Sequence, residues 1–400
     1  MGDNWPRFRG PNGRGIAQDS DIPAKWSEED LAWKIKLPGT GHSSPVVWEE
    51  TVYVTCADEE AKVFSLLALR ASDGRLVWKR DYSFEPLRIN PLNSHATSTP
   101  AVDAEGVYAL WFGENQSFAV AVSHVGTELW KKDLGHSSTL HGPSLSPMVY
   151  KGMLVFTLEH EKNDVGLQSH WYALDCSTGE IAWRLDRENS AKASSSVPCV
   201  YRSQSGKESL VFSSRAHGIT AVDPANGIVV WEEKSALPTR VVSSPVLAKD
   251  FIVATCGDGG RGIQLTAVHP TGARPPRSQV VYTTEEAFVP YVPTPIAVND
   301  LLFLYEDRGM VSCIEIETGK LRWSERPGGK FLGSPVLVED RLYCINTSGK
   351  VVVLRAAAKY ELLAVNDLGE ASQASPAVAG ARMFLRTNSH LSCIAATKRQ

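Results

Sequence analysis

The sequence contains no apolar run that approaches the roughly 18 residues needed by a membrane-spanning helix. Its seven cysteines include no CxxC pair, so neither a zinc motif nor a dithiol redox motif is present. Charge of one sign is not in large excess, because 41 Lys and Arg face 45 Asp and Glu. This balance argues against nucleic acid or an anionic membrane as the main partner. No HExxH cluster and no GxSxG elbow occurs, so neither a metal site nor a catalytic residue is predicted.

The first residues, Met1–Trp5, lack the basic and apolar regions of a signal peptide. We expect that such a peptide has been removed and that the protein is periplasmic or secreted. The hydrophobic content of 43% is ordinary for a globular protein, and a monomer is expected.

What the sequence does contain is an eightfold repeat centred on proline. Each copy places a proline before a short apolar strand, and the copies recur every 40 to 55 residues. A period of this size, with short β-rich runs between turn residues, predicts an all-β protein: an eight-bladed β-propeller of four-stranded antiparallel blades. Proline suits the first residue of a strand because no ladder N–H is needed there. The repeated prolines are Pro45, Pro100, Pro147, Pro198, Pro245, Pro295, Pro335 and Pro376.

Most copies end in a glycine turn followed by tryptophan, as in Ser72–Trp78. A tryptophan at one fixed place in each copy is expected to dock between adjacent blades, where it buries a large apolar area. Two copies depart from the pattern, since residues 271–276 and Leu362-Leu363 stand where tryptophan is expected. Those two blade junctions are predicted to pack differently.

The eighth copy ends after only three strands. Leu31–Leu37 matches the tryptophan-bearing outer strand of the other copies, so it is predicted to complete the last blade and close the ring. The chain then divides into an N-terminal arm, residues 1–30, and one propeller, residues 31–400. Trp5, Phe8 and Trp26 are expected to fix the arm on the propeller surface.

The repeat core Ala-x-Asp-x-x-Thr-Gly-x-x-x-Trp, seen at Ala173–Trp183, resembles the tryptophan-docking repeat of the PQQ-like propeller superfamily. The similarity covers residues 31–400, and the superfamily holds quinoprotein alcohol dehydrogenases and the BamB scaffold lipoproteins of outer-membrane assembly. The opening Trp5–Gly13 is similar to the mature N-terminus of secreted bacterial PQQ-like repeat proteins. The resemblance implies the propeller fold and leaves a scaffold and an enzyme as alternatives.

The quinoprotein dehydrogenases carry an adjacent cysteine pair under the cofactor and a calcium site of carboxylate and amide ligands. This chain has no adjacent cysteines, and its acids are scattered in loops. No cofactor is therefore expected; PQQ with calcium stays an alternative whose motifs are missing.

The loops of a propeller fall on two faces, and here one face receives the long loops. Long loops on a rigid scaffold commonly carry function. Residues shortly before each proline should line the channel mouth on this long-loop face, where their basic character would attract a small anionic ligand. The candidate ligand-binding residues are His42, His95, His141, Lys192, Arg240, Tyr291, Lys330 and Gln373.

The sequence favours an exported, non-catalytic binding or scaffold module that uses its long-loop face for a protein or carbohydrate partner. One alternative is a PQQ-dependent dehydrogenase with the quinone on the channel axis, near His42, His95, Arg240 and Lys330. A second is a hydrolase or lyase that acts through the histidines of the channel mouth.

Overall fold

The computed structural model describes residues 4–17, 21–114, 116–137, 142, 144–162, 166–271, 277–284 and 288–396. These residues form eight sheets, one for each copy of the repeat, arranged as an eight-bladed all-β propeller. In each blade the four antiparallel strands, A to D, run outward from the axis. The fold class predicted from the proline repeat is confirmed. Within the described part of the chain, no helix is long and apolar enough to cross a membrane.

The first four blades take their strands in chain order. Their bounds are Val46–Trp48, Thr51–Asp58, Val63–Arg70 and Leu76–Ser83 in blade 1; Ala101–Val102, Val107–Phe112, Ser117–Val122 and Glu128–Gly135 in blade 2; Met148–Tyr150, Met153–Leu158, Ser169–Asp175 and Ile181–Arg187 in blade 3; and Cys199–Arg202, Glu208–Ser214, Gly218–Val222 and Val229–Glu233 in blade 4.

The last four blades include two strands from the N-terminal segment: Ile16–Ala17 pairs parallel to strand A of blade 7, and Leu31–Lys36 is strand D of blade 8. The remaining bounds are Val246–Ala248, Phe251–Asp258, Arg261–Thr271 and Arg277–Thr284 in blade 5; Ile296–Val298, Leu301–Tyr305, Val311–Glu315 and Leu321–Glu325 in blade 6; Val336–Val338, Arg341–Ile345, Lys350–Arg355 and Leu362–Asp367 in blade 7; and Ala377–Ala379, Arg382–Arg386 and His390–Ala395 in blade 8. Short 3-10 helices lie at Pro11–Gly13, Glu28–Asp30 and Lys234–Ala236.

The core lies between blades rather than inside any one of them. Every residue of Val107–Phe112 and Ser117–Val122, the middle strands of blade 2, is buried, whereas the outer strand Leu76–Ser83 of blade 1 is mostly exposed. A strand buried on both faces reads as a continuous apolar run, because a neighbouring blade covers each face. The blades therefore depend on one another for their stability.

The residue before each repeated proline forms a belt of hydrogen bonds around the axis. In seven blades it is Ser or Thr, whose hydroxyl accepts the backbone N–H of the equivalent residue in the preceding blade at 2.8–3.1 Å. In blade 4 this residue is Val197, which has no hydroxyl, so the belt is interrupted between blades 3 and 4. The seven residues are Ser44, Thr99, Ser146, Ser244, Thr294, Ser334 and Ser375.

Substituting V197T is expected to complete the belt and to raise the free energy of unfolding by about 1 kcal/mol, the net contribution of one hydrogen bond. Val197 is buried, so the added hydroxyl stabilises the protein only if it accepts the backbone N–H of Ser146 in blade 3. Chemical denaturation of the purified protein measures the change. The matched control V253T places a hydroxyl in the core of blade 5 and should destabilise by about 1–3 kcal/mol. Equal destabilisation by both substitutions would contradict the role of the belt.

The predicted docking of tryptophan between blades is confirmed. The ring of Trp130 covers Gly179 in the last turn of blade 3, where an added Cβ would lie 2.7 Å from the ring, and its indole N–H donates to the Cys176 carbonyl at 2.8 Å. Glycine is required at this turn because its φ is +73° and because the ring lies against it. Trp33, Trp78, Trp183 and Trp323 donate to the next blade in the same way.

Of the two junctions that lack this tryptophan, the one after blade 5 keeps the same packing with a different ring, and the one after blade 7 packs differently, as predicted. In blade 5 Tyr282 takes the position, packing on Gly319 and donating its hydroxyl to the Ile316 carbonyl at 2.7 Å. Between blades 7 and 8 the large aromatic side chain comes from the N-terminal segment. Trp26 is 8% exposed and stacks on Tyr343 of blade 7, with 6.3 Å between ring centroids.

The N-terminal segment closes the ring, as predicted, and also binds blade 7. Leu31–Lys36 pairs antiparallel with His390–Ala395 and supplies the fourth strand of blade 8. Upstream, the Asn366 side chain in blade 7 binds the backbone of both Ala24 and Trp26 at 2.9 Å. Residues 21–36 therefore join blade 7 to blade 8.

Residues 5–15 cross the channel at the end opposite the long loops. Trp5 exchanges two backbone hydrogen bonds of 2.9 Å with Val47 in blade 1, Asn12 binds the backbone of Val200 in blade 4, and Gly15 accepts from Leu337 in blade 7. A segment that touches inner strands on several sides of the ring lies across the axis. Trp5, Arg7 and Arg9 are buried, whereas Phe8 is only partly buried.

Candidate functional site

Two of the candidate residues, Arg240 and Tyr291, meet at the channel mouth on the long-loop face. The Arg240 guanidinium is buried; its Nη1 donates to the Tyr291 hydroxyl at 3.0 Å and its Nε to the Ala193 carbonyl at 2.8 Å. The backbone N–H of Tyr291 donates to the Asp307 carboxyl at 2.7 Å. The loops that carry these residues come from blades 3 to 6, so the contacts hold those loops to one another.

His95 and Lys192 are also occupied by neighbouring loops. The His95 ring is only 4% exposed; Nδ1 lies 3.0 Å from Glu59 Oε1, and Nε2 lies 2.9 Å from the Leu87 carbonyl oxygen. Lys192 forms an ion pair with Asp258, with 2.5 Å between Nζ and Oδ1. Both groups connect the B–C hairpin of one blade to a D–A loop, since Glu59 and Asp258 lie where strands B and C of blades 1 and 5 meet.

The other four candidates are scattered. His42 is half-buried, and burial, followed by the nearby Arg386 guanidinium, lowers its pKa to about 4. Lys330 is exposed and Gln373 is half-buried, and no contact among the described residues joins either to the rest of the set. His141 lies outside the described residues. The ligand-binding role of all eight stays a prediction.

Two charged groups that the sequence reasoning missed lie under this face. Asp307 is 5% exposed, and its burial raises the pKa of the carboxyl to about 7, although the N–H groups of Tyr291 and Val292 donate to it. The buried Arg386 donates to the carbonyl and hydroxyl oxygens of Ser43. Arg386 could have been found by alignment on the prolines, because the seven sister blades all place an uncharged residue at its strand position.

A small cavity lies beside Arg240, lined also by Glu159, Ser194 and Ser195. Its volume of about 10 Å³ matches one water molecule. Glu159 accepts the indole N–H of Trp171 and the backbone N–H of Ser194, so both of its oxygens are engaged. The cavity suits a structural water that joins blades 3 to 5.

A family profile described as "Outer membrane protein assembly factor BamB" matches residues 24–110, 93–285 and 264–394. The chain belongs to this family. The BamB of Moranella endobia (strain PCIT) is 28% identical over 236 residues, 58% of this chain. That match spans 52% of the relative, about half of its length.

Solved structures share the fold of this BamB-family chain. BamB from Moraxella catarrhalis has a TM-score of 0.63 at 12% identity, with 92% of this chain and 97% of that chain covered. A quinohemoprotein alcohol dehydrogenase from Comamonas testosteroni has a TM-score of 0.65 at 13% identity, with 100% and 81% covered. Identities this low show the architecture and not the activity.

The described residues do not fit the PQQ and calcium of the quinoprotein relatives. All seven cysteines of this BamB-family chain are separate, buried thiols, so no adjacent pair lies under the axis. Within the described ranges, no three His, Cys, Asp or Glu side chains cluster as metal ligands would. The cavity beside Arg240 is also far below the roughly 300 Å³ that a ligand of this size needs.

Proposed function

We propose that this protein is an exported, non-catalytic binding scaffold of the BamB family, and that it holds a protein partner on its long-loop face. The observation that carries the proposal is the engagement of the basic groups at the channel mouth. His95, Lys192 and Arg240 each bind a neighbouring loop of the protein itself. An enzyme needs acids or bases that converge on a substrate, whereas these contacts hold loops in place.

Apolar side chains at the tips of the long loops support a protein partner. Leu92 is 65% exposed in the loop before blade 2, and Phe288 is 51% exposed in the loop before blade 6. These loops lie on opposite sides of the ring, so a partner that contacts both would cover the channel mouth. Apolar side chains form the centre of protein–protein interfaces, inside a polar rim. The name of the relatives, outer membrane protein assembly factor, indicates a component of that machinery as the partner.

The proposal is tested by photo-crosslinking in cells of the native host. A benzophenone amino acid replaces Leu92 or Phe288. In the control variants it replaces Val125 or Ile228, which are 82% and 63% exposed and lie in turns of the opposite face. We expect discrete protein adducts from the two long-loop positions at several times the yield of the controls. Adducts of equal yield at all four positions, or from the controls alone, would exclude this face as the binding surface.

A further inference from the structure

A groove of about 520 Å³ lies on the face opposite the long loops, between the N-terminal segment and the inner strands of blades 3 to 5. Its volume is within the range of small-ligand sites. Its lining combines aliphatic and aromatic side chains with charged ones. The lining residues on which the inference depends are Arg7, Val149, Tyr150, Val200, Arg202 and Leu247.

One wall of the groove is the A–B hairpin of blade 4, which is longer than that of any other blade. Strands A and B are joined there by residues 203–207, whereas six of the other seven blades use two-residue turns. At the base of this hairpin the Glu208 carboxylate accepts from the Tyr150 hydroxyl at 2.6 Å, Lys151 at 2.8 Å and Arg202 at 2.6 Å. The hydrogen bond from Lys151, followed by those from Tyr150 and Arg202, lowers the pKa of Glu208 to about 2. The wall is thus held in a fixed geometry.

The groove lining includes one buried cation, Arg7, in addition to the Arg202–Glu208 pair. Arg7 is 3% exposed, and among the described residues it forms no ion pair. Arg7 donates to the Pro198 carbonyl at 2.7 Å and to Met148 Sδ at 3.1 Å, while its buried Nε has no hydrogen-bond partner. Burial lowers the pKa of Arg7 to about 10, so it remains a cation at neutral pH. A buried, unpaired cation favours an anion nearby, because little solvent screens it.

We propose that this groove binds an apolar carboxylate, with the apolar body against Val149, Val200 and Leu247 and the carboxylate at Arg202. Arg202 donates through Nη2 to Glu208 at 2.6 Å, and its side chain is 70% exposed, so the other N–H groups of its guanidinium are open to a ligand. Two sources share the chemistry: a free N-acylated amino acid and the C-terminus of a polypeptide. The inference is independent of the proposed function, since it concerns the opposite face of the ring.

Calorimetric titration of the full chain tests the proposal with four probes: N-octanoyl-leucine, its carboxamide, a pentapeptide ending in leucine, and the same peptide amidated. We expect a free carboxylate to bind at least tenfold more tightly than its amide, as one charge-assisted hydrogen bond implies. R202Q should weaken binding of the acid about tenfold and leave the amide unchanged. The matched control K207Q, in the same hairpin but outside the groove lining, should change neither. R7M should reduce the difference in affinity between the acid and the amide probes. If R7M does not fold, the result for R202Q alone tests the proposal.

Binding of the acyl amino acid alone identifies a small-molecule site, and binding of the peptide alone identifies a polypeptide terminus; both support the proposal. Equal affinity for acid and amide would overturn it. So would an absence of binding by every probe at millimolar concentration, or an equal loss in R202Q and K207Q.

Discussion

W26A is expected to lower the free energy of unfolding by about 3–5 kcal/mol, the usual cost of truncating a buried tryptophan. Trp26 packs between blades 7 and 8, at a junction where strand D of blade 7 places Ala364 at the tryptophan position. Because the ring also closes through Leu31–Lys36, a cavity at this junction weakens the attachment of the last blade. Denaturant unfolding, followed by tryptophan fluorescence and circular dichroism, measures the loss.

Hydrogen exchange locates that loss. In W26A, amides of Leu362–Asp367 and Leu31–Lys36 should exchange faster, while those of blades 2 to 4 should keep their protection. The control F8A removes a partly buried ring from the same N-terminal segment and should cost about 1 kcal/mol or less. If W26A and F8A had equal effects, or if protection fell uniformly around the ring, the closure argued here would be wrong.

D307N is expected to remove a stability penalty that grows with pH. The Asp307 carboxyl has a pKa of about 7 in the folded protein against 3.8 as its ordinary value, mainly because it is buried. Between these two values the unfolded chain releases the proton and the folded chain retains it, so the folded state loses stability as pH rises. The full difference corresponds to about 4 kcal/mol above pH 7. D307N should therefore be more stable than the parent at pH 8 and no more stable at pH 4.

The stability difference between D307N and the parent, measured from pH 4 to pH 8, isolates this effect. His42 acts in the opposite direction, because its pKa of about 4 lies below its ordinary 6.5 and stability is lost as pH falls between them. That contribution is common to both proteins and cancels in the difference. A difference that stays constant with pH would show that the backbone donors Tyr291 and Val292 keep the Asp307 carboxyl ionised.

The ring could be predicted from the sequence because its signals are local. Each proline marks a strand start, and each Gly-to-Trp turn marks a blade end, so Leu31–Leu37 could be assigned to the last blade by pattern alone. The path of residues 5–15 could not be predicted in this way. They have no strand or helix periodicity, and their buried side chains include Arg7 and Arg9, which local rules place at the surface.

The contacts at the channel mouth could also be predicted only in part from the sequence. Alignment on the prolines found Arg240 and Tyr291, which are 51 positions apart and do touch. Whether such residues bind one another or a ligand depends on loop conformations that the repeat does not encode. Asp307 was missed because an acid in a turn between strands is usually solvated, and only the fold buries it.

The crosslinking yield at Leu92 and Phe288, relative to that at Val125 and Ile228, tests the central claim most directly. A scaffold that holds its partner on the long-loop face predicts a discrete protein adduct from both long-loop positions and little from the two controls. Adducts confined to the controls, or none at Leu92 and Phe288, would contradict the claim.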